Sequence, residues 1–557
     1  MTRTRWLTSL LAGAVLLLAA AAAEAPAGAD LVLTNGHIYT VDPRLSRVEA
    51  IALARGKIVA LGTSEEIQHW VGPDTRVIDL EGKFVMPGFN DAHTHFASGG
   101  LGLLGVNVEG TRSLAEFQER IRARLPEFQP GEWVVGRGWD QSLWTENRMP
   151  TRADLDVVST EHPMLFERVD GHSSVANSLA LKLAGITRDT PDPEGGAIVR
   201  DAGGEPTGWV KENAVNLVHK LIPSPTREQR KRGLLLALQE AARLGITSIQ
   251  DNSDWEDFLA MRELKQEGKL TLRVTEWLPF NTPLDRLEEM RREGGTTDPW
   301  LKTGALKGVT DGSGGSLSAA MLEPFANDPD NRGILLYEPA QLKKMVIDRE
   351  AAGFQIALHA IGDRANRVAL DAFEVARKIN NRPNTRHRIE HAQFVHRDDF
   401  PRFKELGVIA SMQPSHVLSD MRWAPTILGP AREYEGYAWN SMLEHGALLA
   451  FGTDYPVEPL SPFRGLYACL TREAEEGGPE GGWLPDEKIN ISDCLRAYTW
   501  GSAFAEFEDH RKGTLAPGNF ADLIVLSRDI TRSAPSDLLR TEVWLTMVGG
   551  KIVYEKK

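Results

Sequence analysis

Hydrophobic and polar positions in the middle of the chain follow two alternating patterns. Segments with apolar residues every three to four positions, typical of amphipathic helices, end at a glycine and lead into a short apolar run. Three such units span residues 234–250, 341–359 and 400–412, with Gly245, Gly353 and Gly407 at the junctions. Repeated helix–glycine–strand units favour parallel strands joined by crossover helices. The pattern predicts an α/β fold, and a chain of 557 residues suits a large α/β barrel with a smaller domain.

Both ends of the chain, after about residue 30, show short apolar runs separated by glycine and Asn-Gly turns, which are typical of small β-sheets. A third region is rich in tryptophan, glycine and proline and does not follow the helix–strand rhythm. We therefore predict a composite β-sandwich domain formed by residues 30–86 and 508–557. The barrel domain spans residues 87–507, and a lid-like insertion interrupts it at about residues 110–225.

The first residues resemble a secretory signal peptide. Arg3 and Arg5 precede an apolar run over residues 6–23, and small residues follow it. We predict a signal peptide over residues 1–29 and an exported protein, periplasmic or secreted. An uncleaved membrane anchor is the alternative for this run. Since no later segment is long and apolar enough to span a membrane, we expect no stable span after signal removal.

The composition of the chain bears on its binding partners and on its disulfide bonds. The formal net charge is −14 and no run is rich in Lys or Arg, so we expect no nucleic-acid partner. Two cysteines, Cys469 and Cys494, are too few for a disulfide scaffold. One bridge is possible in an oxidising compartment, but their apolar contexts favour two buried free thiols. The oligomeric state is open, and a homo-oligomer is compatible with the sequence.

Five residues with metal-ligating side chains lie at or near the ends of apolar, strand-like runs. His93 and His95 are two positions apart, which places both side chains on one side of a strand. His359, His391 and Asp454 each end a further run. Each alone is compatible with a buried histidine or a turn-forming aspartate, but a (β/α)₈ barrel brings the carboxyl ends of all its strands to one face. We therefore predict a site for one or two divalent metal ions, with zinc as the expected metal.

Several motifs together resemble the amidohydrolase superfamily, specifically its family 3 branch of metal-dependent hydrolases. The resemblance covers nearly everything after the predicted signal peptide. The motifs that carry it lie at residues 87–95, 136–140, 171–173 with Asn177, 389–393, 411–416, 452–456, 498–499 and 513–523. The resemblance implies a (β/α)₈ barrel, a small composite β-domain and hydrolysis at a divalent-metal site.

The resemblance also implies a sixth ligand, Lys307, four residues before Asp311-Gly312. In related enzymes this lysine can be carboxylated by CO₂, and the carbamate bridges two metals. An unmodified lysine that pairs with Asp311 or orients substrate is the alternative. As substrate-binding candidates we take Asp311 together with His172 and Trp139 of the insertion, although hydrogen bonding within the insertion would explain the last two equally well.

The function predicted from these residues is hydrolysis of an amide-type carbon–nitrogen bond in a small molecule. Metal-activated water would attack the substrate, and Asp454 would act as general acid and base. A deaminase is one alternative, although such enzymes often carry Glu three residues after the fifth-strand histidine, where this chain has Gly362 followed by Asp363. A non-catalytic binding or regulatory protein on the same scaffold is the other alternative.

Overall fold

A computed structural model describes residues 28–168, 173–193 and 196–557. The predicted signal peptide lies almost entirely outside these ranges, and so does His172. Within them, no helix combines the length and apolarity needed to cross a bilayer.

The chain enters through the small β-domain and then forms the first barrel strand. The elements of this part are β1 (Leu31–Thr34), β2 (His37–Tyr39), β3 (Arg47–Val48), β4 (Ala50–Ala54), β5 (Lys57–Gly62), α1 (Ser64–Ile67), β6 (Arg76–Asp79), β7 (Phe84–Pro87), β8 (Phe89–Thr94) and α2 (Phe96–Leu104).

The insertion leaves the barrel after β8 and is a folded unit with its own sheet. Its elements are β9 (Val106–Asn107), α3 (Leu114–Arg124), β10 (Val134–Trp139), α4 (Arg152–Asp156), β11 (Met164–Arg168), β12 (Ser173–Ala176), α5 (Ser178–Leu183), β13 (Gly196–Arg200), β14 (Pro206–Glu212) and α6 (Asn216–His219). The strands form one mixed sheet in the order β13-β14-β12-β11-β10-β9, backed by two apolar clusters of its own.

The barrel continues with alternating helices and strands, as the sequence predicts. These are α7 (Arg227–Arg243), β15 (Ile246–Asp251), α8 (Trp255–Gln266), β16 (Arg273–Pro279), α9 (Leu284–Gly294), β17 (Leu301–Val309), α10 (Pro339–Ala351), β18 (Ile356–Ala360), α11 (Asp363–Asn380), β19 (Arg388–His391), α12 (Phe400–Leu406), β20 (Ile409–Met412), α13 (His416–Asp420), α14 (Ala424–Leu428), α15 (Trp439–Glu444), β21 (Leu448–Phe451), α16 (Pro462–Thr471), α17 (Ile491–Arg496) and α18 (Ser502–Ala505).

Eight parallel strands form the barrel in the order β8-β15-β16-β17-β18-β19-β20-β21. The segment after β21 closes it against β8, since the Asp454 N–H donates to the His93 carbonyl at 2.8 Å and the His95 N–H donates to the Tyr455 carbonyl at 2.7 Å. Gly245 follows α7 with φ 77°, a left-handed conformation that favours glycine and ends the helix before β15. The predicted barrel is therefore confirmed.

The last elements return to the small domain, as predicted, and join strands from the other end of the chain. They are β22 (Leu523–Leu526), α19 (Pro535–Leu538), β23 (Val543–Val548) and β24 (Lys551–Glu555). One sheet has the order β5-β4-β1-β6, and the other, β24-β23-β22-β7-β2-β3, combines strands from both ends of the chain. A shared apolar cluster with Leu33 and Ile51 from the first sheet and Val525 and Leu545 from the second makes this a sandwich.

The prediction of two free thiols is wrong. Cys469 in α16 and Cys494 in α17 are both fully buried and are joined by a disulfide, with their Cα atoms 6.6 Å apart. The two helices pack against each other, and this brings the cysteines within the separation that a disulfide requires. An apolar sequence context around each cysteine shows burial, but it carries no information about which helix lies opposite.

Candidate metal centre

The six predicted ligands lie in one pocket at the carboxyl ends of the barrel strands. The ring centroid of His391 lies 5.0 Å from that of His93 and 4.6 Å from that of His359. Oδ1 of Asp454 lies 3.3 Å from Nε2 of His95 and 3.5 Å from Nε2 of His93. His93, His391 and Asp454 can each offer a ligand atom within 4.8 Å of the others. Residues up to 361 positions apart in sequence thus converge because every barrel strand ends on this face.

His93 and His95 are held so that Nε2 of each ring faces Asp454. Nδ1 of His93 donates to Glu390 at 2.7 Å, and Nδ1 of His95 donates to the carbonyl of Asn252 at 3.1 Å. These bonds fix the proton on Nδ1 and leave the Nε2 lone pair of each ring directed into the pocket. Such bonds orient the histidine ligands of metal sites.

His359 and His391 are also each held through one ring nitrogen. Nε2 of His359 donates to the carbonyl of Gly312 at 3.1 Å, so Nδ1 is the nitrogen left for a ligand. In His391, Nδ1 donates to Oε1 of Gln413 at 2.7 Å, which leaves Nε2. Each of the four histidines therefore has one ring nitrogen that is hydrogen-bonded to the protein and one that is left to coordinate a metal.

Lys307 lies between the two histidine pairs. Its Nζ is 3.1 Å from Nε2 of His93, and burial lowers the pKa of this amine. Burial lowers the pKa of both His359 and His391, and the charge of the same lysine lowers both further. One amine therefore contacts or faces both halves of the pocket.

The surroundings of His93, His359, His391 and Asp454 favour the deprotonated form of each side chain. Burial, reinforced by the nearby Lys307, lowers the pKa of His93 and of His359 to about 4. Burial would raise the pKa of Asp454, but the adjacent rings of His93 and His95 outweigh burial and hold it well below its usual value. Neutral imidazoles and an ionised carboxylate are the forms in which these side chains bind metals.

These residues fit a divalent metal. Oδ1 of Asp454 is buried and has no hydrogen-bond partner among the described residues, although two histidine nitrogens lie beside it. Two ligands about 2.0–2.1 Å from a tetrahedral zinc lie about 3.3 Å apart, which matches the spacing of these atoms. His93, His95 and Asp454 would hold one ion, and His359 and His391 would hold a second.

The backbone that carries Asp454 has an uncommon conformation. Its φ is 58°, in the left-handed region that a non-glycine residue adopts at a cost. The preceding residue, Thr453, is fixed to β8, because its N–H and its Oγ1 donate to Asp91 at 2.9 and 2.6 Å. Asp91 thus ties the last strand to the first and positions Asp454 against the histidines.

Comparison with known proteins agrees with this geometry. The sequence model described as "Amidohydrolase family" matches residues 76–554.

The chain belongs to the amidohydrolase family. It is 34% identical to the protein LONG AFTER FAR-RED 3 of Arabidopsis thaliana, over 95% of this chain and 92% of that protein. It is 29% identical to an N-substituted formamide deformylase of Arthrobacter pascens, over 95% of this chain and 98% of that enzyme. An uncharacterized metal-dependent hydrolase from Pyrococcus furiosus matches in structure with a TM-score of 0.75 and 31% identity, over 90% of this chain and all of that one.

Two predicted substrate-binding residues of this amidohydrolase make hydrogen bonds within the protein instead. Trp139 is fully buried in the insertion core, and its Nε1 donates to the carbonyl of Phe166 at 2.7 Å. The carboxylate of Asp311 accepts the backbone N–H groups of Ala320, Ile361 and Gly362 at 2.8, 3.0 and 2.9 Å. This placement does not support substrate contact by either residue, and it makes Asp311 a clamp between the loops that follow β17 and β18.

Three further residues of the site were not selected from the sequence. Asp91 and Glu390 stand next to predicted ligands, and their signal was that proximity together with their positions in the family motifs at residues 87–95 and 389–393. His416 follows β20, and its Nε2 lies 3.6 Å from Oδ2 of Asp454. Its signal was its position in the family motif at residues 411–416.

Glu390 offers a test of the hydrogen bonds that orient the histidine ligands. Glu390 is fully buried, accepts a hydrogen bond from Ser411 at 2.7 Å and pairs with Arg388. Burial alone would raise the pKa of Glu390, but the Arg388 charge and the His93 ring outweigh it and lower this pKa to about 2. We expect Glu390→Gln to weaken metal binding by about 10- to 100-fold, because the His93 ring loses its anionic partner. Titration with zinc against a competing chelator measures this.

A matched control lies near the end of α10. Glu350 is also fully buried and contacts Nε2 of His387 at 2.8 Å, but this pair has no predicted metal ligand beside it. Glu350→Gln should leave metal affinity unchanged. Equal weakening by both substitutions would show that the effect comes from general destabilisation.

Proposed function

We propose that this amidohydrolase cleaves an amide-type carbon–nitrogen bond in a small molecule, using one or two divalent ions, with zinc as the expected metal. The observation that carries the proposal is the unpartnered Oδ1 of Asp454, buried between Nε2 of His93 and Nε2 of His95. The metals, when bound, would polarise the scissile group and lower the pKa of water. All six expected ligand residues are present, which favours an enzyme over a binding protein that has lost its chemistry.

Asp454 would move the proton. Its depressed pKa keeps the carboxylate ionised at neutral pH, so it can accept a proton from the attacking water. One oxygen faces the His93–His95 pair, and the other faces His391 and His416 at 3.9 and 3.6 Å. The carboxylate therefore contacts the ligand set through both oxygens and also reaches His416, which is not a predicted ligand, and we propose that the proton passes to the leaving nitrogen from this side.

Lys307 would be carboxylated in the active enzyme. In this reaction the nitrogen of the neutral amine bonds to the carbon of CO₂ and one proton leaves the nitrogen, which gives an anion with two carboxylate oxygens. Burial lowers the pKa of Lys307 and so favours the neutral amine that this reaction needs. Four neutral imidazoles and one carboxylate leave two divalent cations under-neutralised, and a carbamate reduces that excess charge.

The substrate class rests on the relative named N-substituted formamide deformylase and on the mouth of the pocket. Val309 pairs in register with His359, so both side chains point to the same side of the sheet, and Val309 is 41% exposed. Val457, three residues after Asp454, is 64% exposed. Apolar side chains left exposed this close to the ligands favour amides with an apolar substituent.

A deaminase is less well supported. Oδ1 of Asp363, the acidic residue nearest the expected position, accepts the N–H groups of Leu322 and Arg364 at 2.7 and 2.8 Å. It therefore fixes a loop and the start of α11.

The test is a substrate panel for purified, zinc-loaded protein. The panel contains N-substituted formamides with small and with aromatic substituents, other amides, cyclic ureas, esters and aminated heterocycles. We expect release of amine from at least one amide. Ammonia release from the aminated heterocycles alone would favour the deaminase, and full metal content without any turnover would favour the binding protein.

We also propose that the protein is exported. The basic and apolar pattern of residues 1–29 and the disulfide, a bond typical of oxidising compartments, support this. N-terminal sequencing of the recovered protein should find a start between Glu24 and Asp30, whereas retention of Met1 in membranes would favour an anchor.

A further inference from the structure

We propose that His416 is a substrate-contacting residue, whose Nε2–H donates a hydrogen bond to the oxygen of the scissile group. The inference rests on the proposed hydrolytic function, and it concerns a residue outside the predicted ligand set.

The fold places His416 at the pocket. It is the first residue of α13, three residues beyond Gln413, which supports His391, and this segment follows β20 at the carboxyl face of the barrel. Its ring stacks near that of His391, with centroids 6.2 Å apart and an interplanar angle of 25°. The side chain therefore belongs to the same wall as the ligands.

Nε2 of His416 lacks a partner. The residue is only 8% exposed, this nitrogen is buried, and it makes no hydrogen bond to any described residue. Oδ2 of Asp454 lies 3.6 Å from this nitrogen, which is too far for a hydrogen bond. A buried polar atom without a partner is energetically costly, so such an atom in a pocket indicates a bond made by a ligand.

The neighbouring carboxylate of Asp454 determines whether Nε2 of His416 donates or accepts this hydrogen bond. A carboxylate oxygen close to an imidazole nitrogen favours the tautomer that carries the proton on that nitrogen, because two lone pairs would repel. His416 therefore presents a donor, and an oxygen atom is the matching substrate group. In hydrolysis of an amide, negative charge develops on that oxygen, and a fixed donor stabilises it most in the transition state.

His416 also differs from the ligand histidines. Each of those has one nitrogen tied to Glu390, Asn252, Gly312 or Gln413, and each directs the other toward the ligand set. Asp454 uses Oδ1 toward His93 and His95 and Oδ2 toward His416, so His416 lies on the other side of the carboxylate from that pair. A substrate that receives a proton from Asp454 would come within reach of His416.

The test compares three proteins: wild type, His416→Leu and His416→Gln. The leucine variant removes the donor, whereas the glutamine variant keeps a side-chain N–H at similar reach. On an amide that the wild type hydrolyses, we expect His416→Leu to lower kcat by about 100-fold, with KM changed by less than about threefold, since the bond is strongest in the transition state. His416→Gln should recover about tenfold of that loss. Zinc content should remain at the wild-type value in both variants.

A structural role would give a different result. If His416 only packs the pocket, the leucine variant would lose thermal stability while each folded, zinc-loaded molecule kept its kcat, and the proposal would be overturned. Loss of zinc in His416→Leu would equally overturn it, by making His416 a ligand. His445→Leu, at an exposed histidine bonded to Ser441, controls for loss of a histidine elsewhere. If the wild type hydrolyses no amide, the proposed function itself fails. If the wild type hydrolyses an amide and His416→Leu has the same kcat, only the role of His416 fails.

Discussion

Asp454→Asn should lower kcat by about 1000-fold or more, near the upper range for loss of a general acid–base group. Asparagine keeps the shape and one oxygen of the side chain but cannot accept the proton of the attacking water. Since that oxygen remains beside His93 and His95, zinc content should fall far less than turnover. Steady-state kinetics and metal analysis of the same preparation measure both quantities.

Asp311→Asn is the matched control for this substitution. Both aspartates are buried near the pocket, but the Asp311 carboxylate is bonded to three backbone amides. We expect this variant to lose thermal stability while its kcat per zinc-loaded molecule stays within a few fold of wild type. A kcat for Asp454→Asn within tenfold of wild type would remove Asp454 as the proton-transfer group, and a large loss of kcat in Asp311→Asn would restore the predicted role of Asp311 in substrate binding.

Lys307→Ala should lose at least one metal per chain and most of the activity. Its amine is the only nitrogen of the predicted ligand set that can become an anionic bridge, and without that charge two close cations are poorly compensated. A short carboxylic acid added to the variant should restore part of both the metal content and the activity. Metal stoichiometry with and without the acid, together with the mass of intact wild-type protein measured under CO₂, tests this.

Lys302 on the same strand provides the control. It is also buried, but it pairs with Glu508 at the other end of the barrel. Lys302→Ala should leave metal stoichiometry unchanged, although it should cost stability because it leaves the Glu508 carboxylate without that cation. Unchanged metal content and turnover in Lys307→Ala would contradict the bridging role, whereas one metal per wild-type chain with an unmodified lysine would support a mononuclear form of the same hydrolysis.

The ligand residues could be predicted from the sequence because they stand where apolar runs end. His359, His391 and Asp454 mark three such ends, and barrel topology brings strand ends together whatever their separation in sequence. The helix–glycine–strand units predicted the barrel for the same reason, since local periodicity and a C-cap glycine are features of neighbouring residues. Family resemblance added Lys307, which periodicity alone did not identify.

Contacts between distant segments could not be predicted in this way. Asp91 and Glu390 show their roles only through their partners, Thr453 and His93, which lie far away in the chain. The Cys469–Cys494 disulfide depends on two helices lying side by side, and the buried position of Trp139 depends on the sheet of the insertion. Sequence patterns identify the side that a strand or helix buries, but the atom that a buried polar group will contact is defined by the tertiary fold.

The most direct test of the central claim is the substrate panel run on one preparation before and after removal of metal. Wild-type protein should contain one or two zinc ions per chain and release amine from an N-substituted formamide or another amide. Dialysis against a chelator should abolish that release, and zinc should restore it in proportion to the metal rebound. Amide hydrolysis that persists at full rate in metal-free protein would contradict the account, as would a fully zinc-loaded protein that hydrolyses no member of the panel.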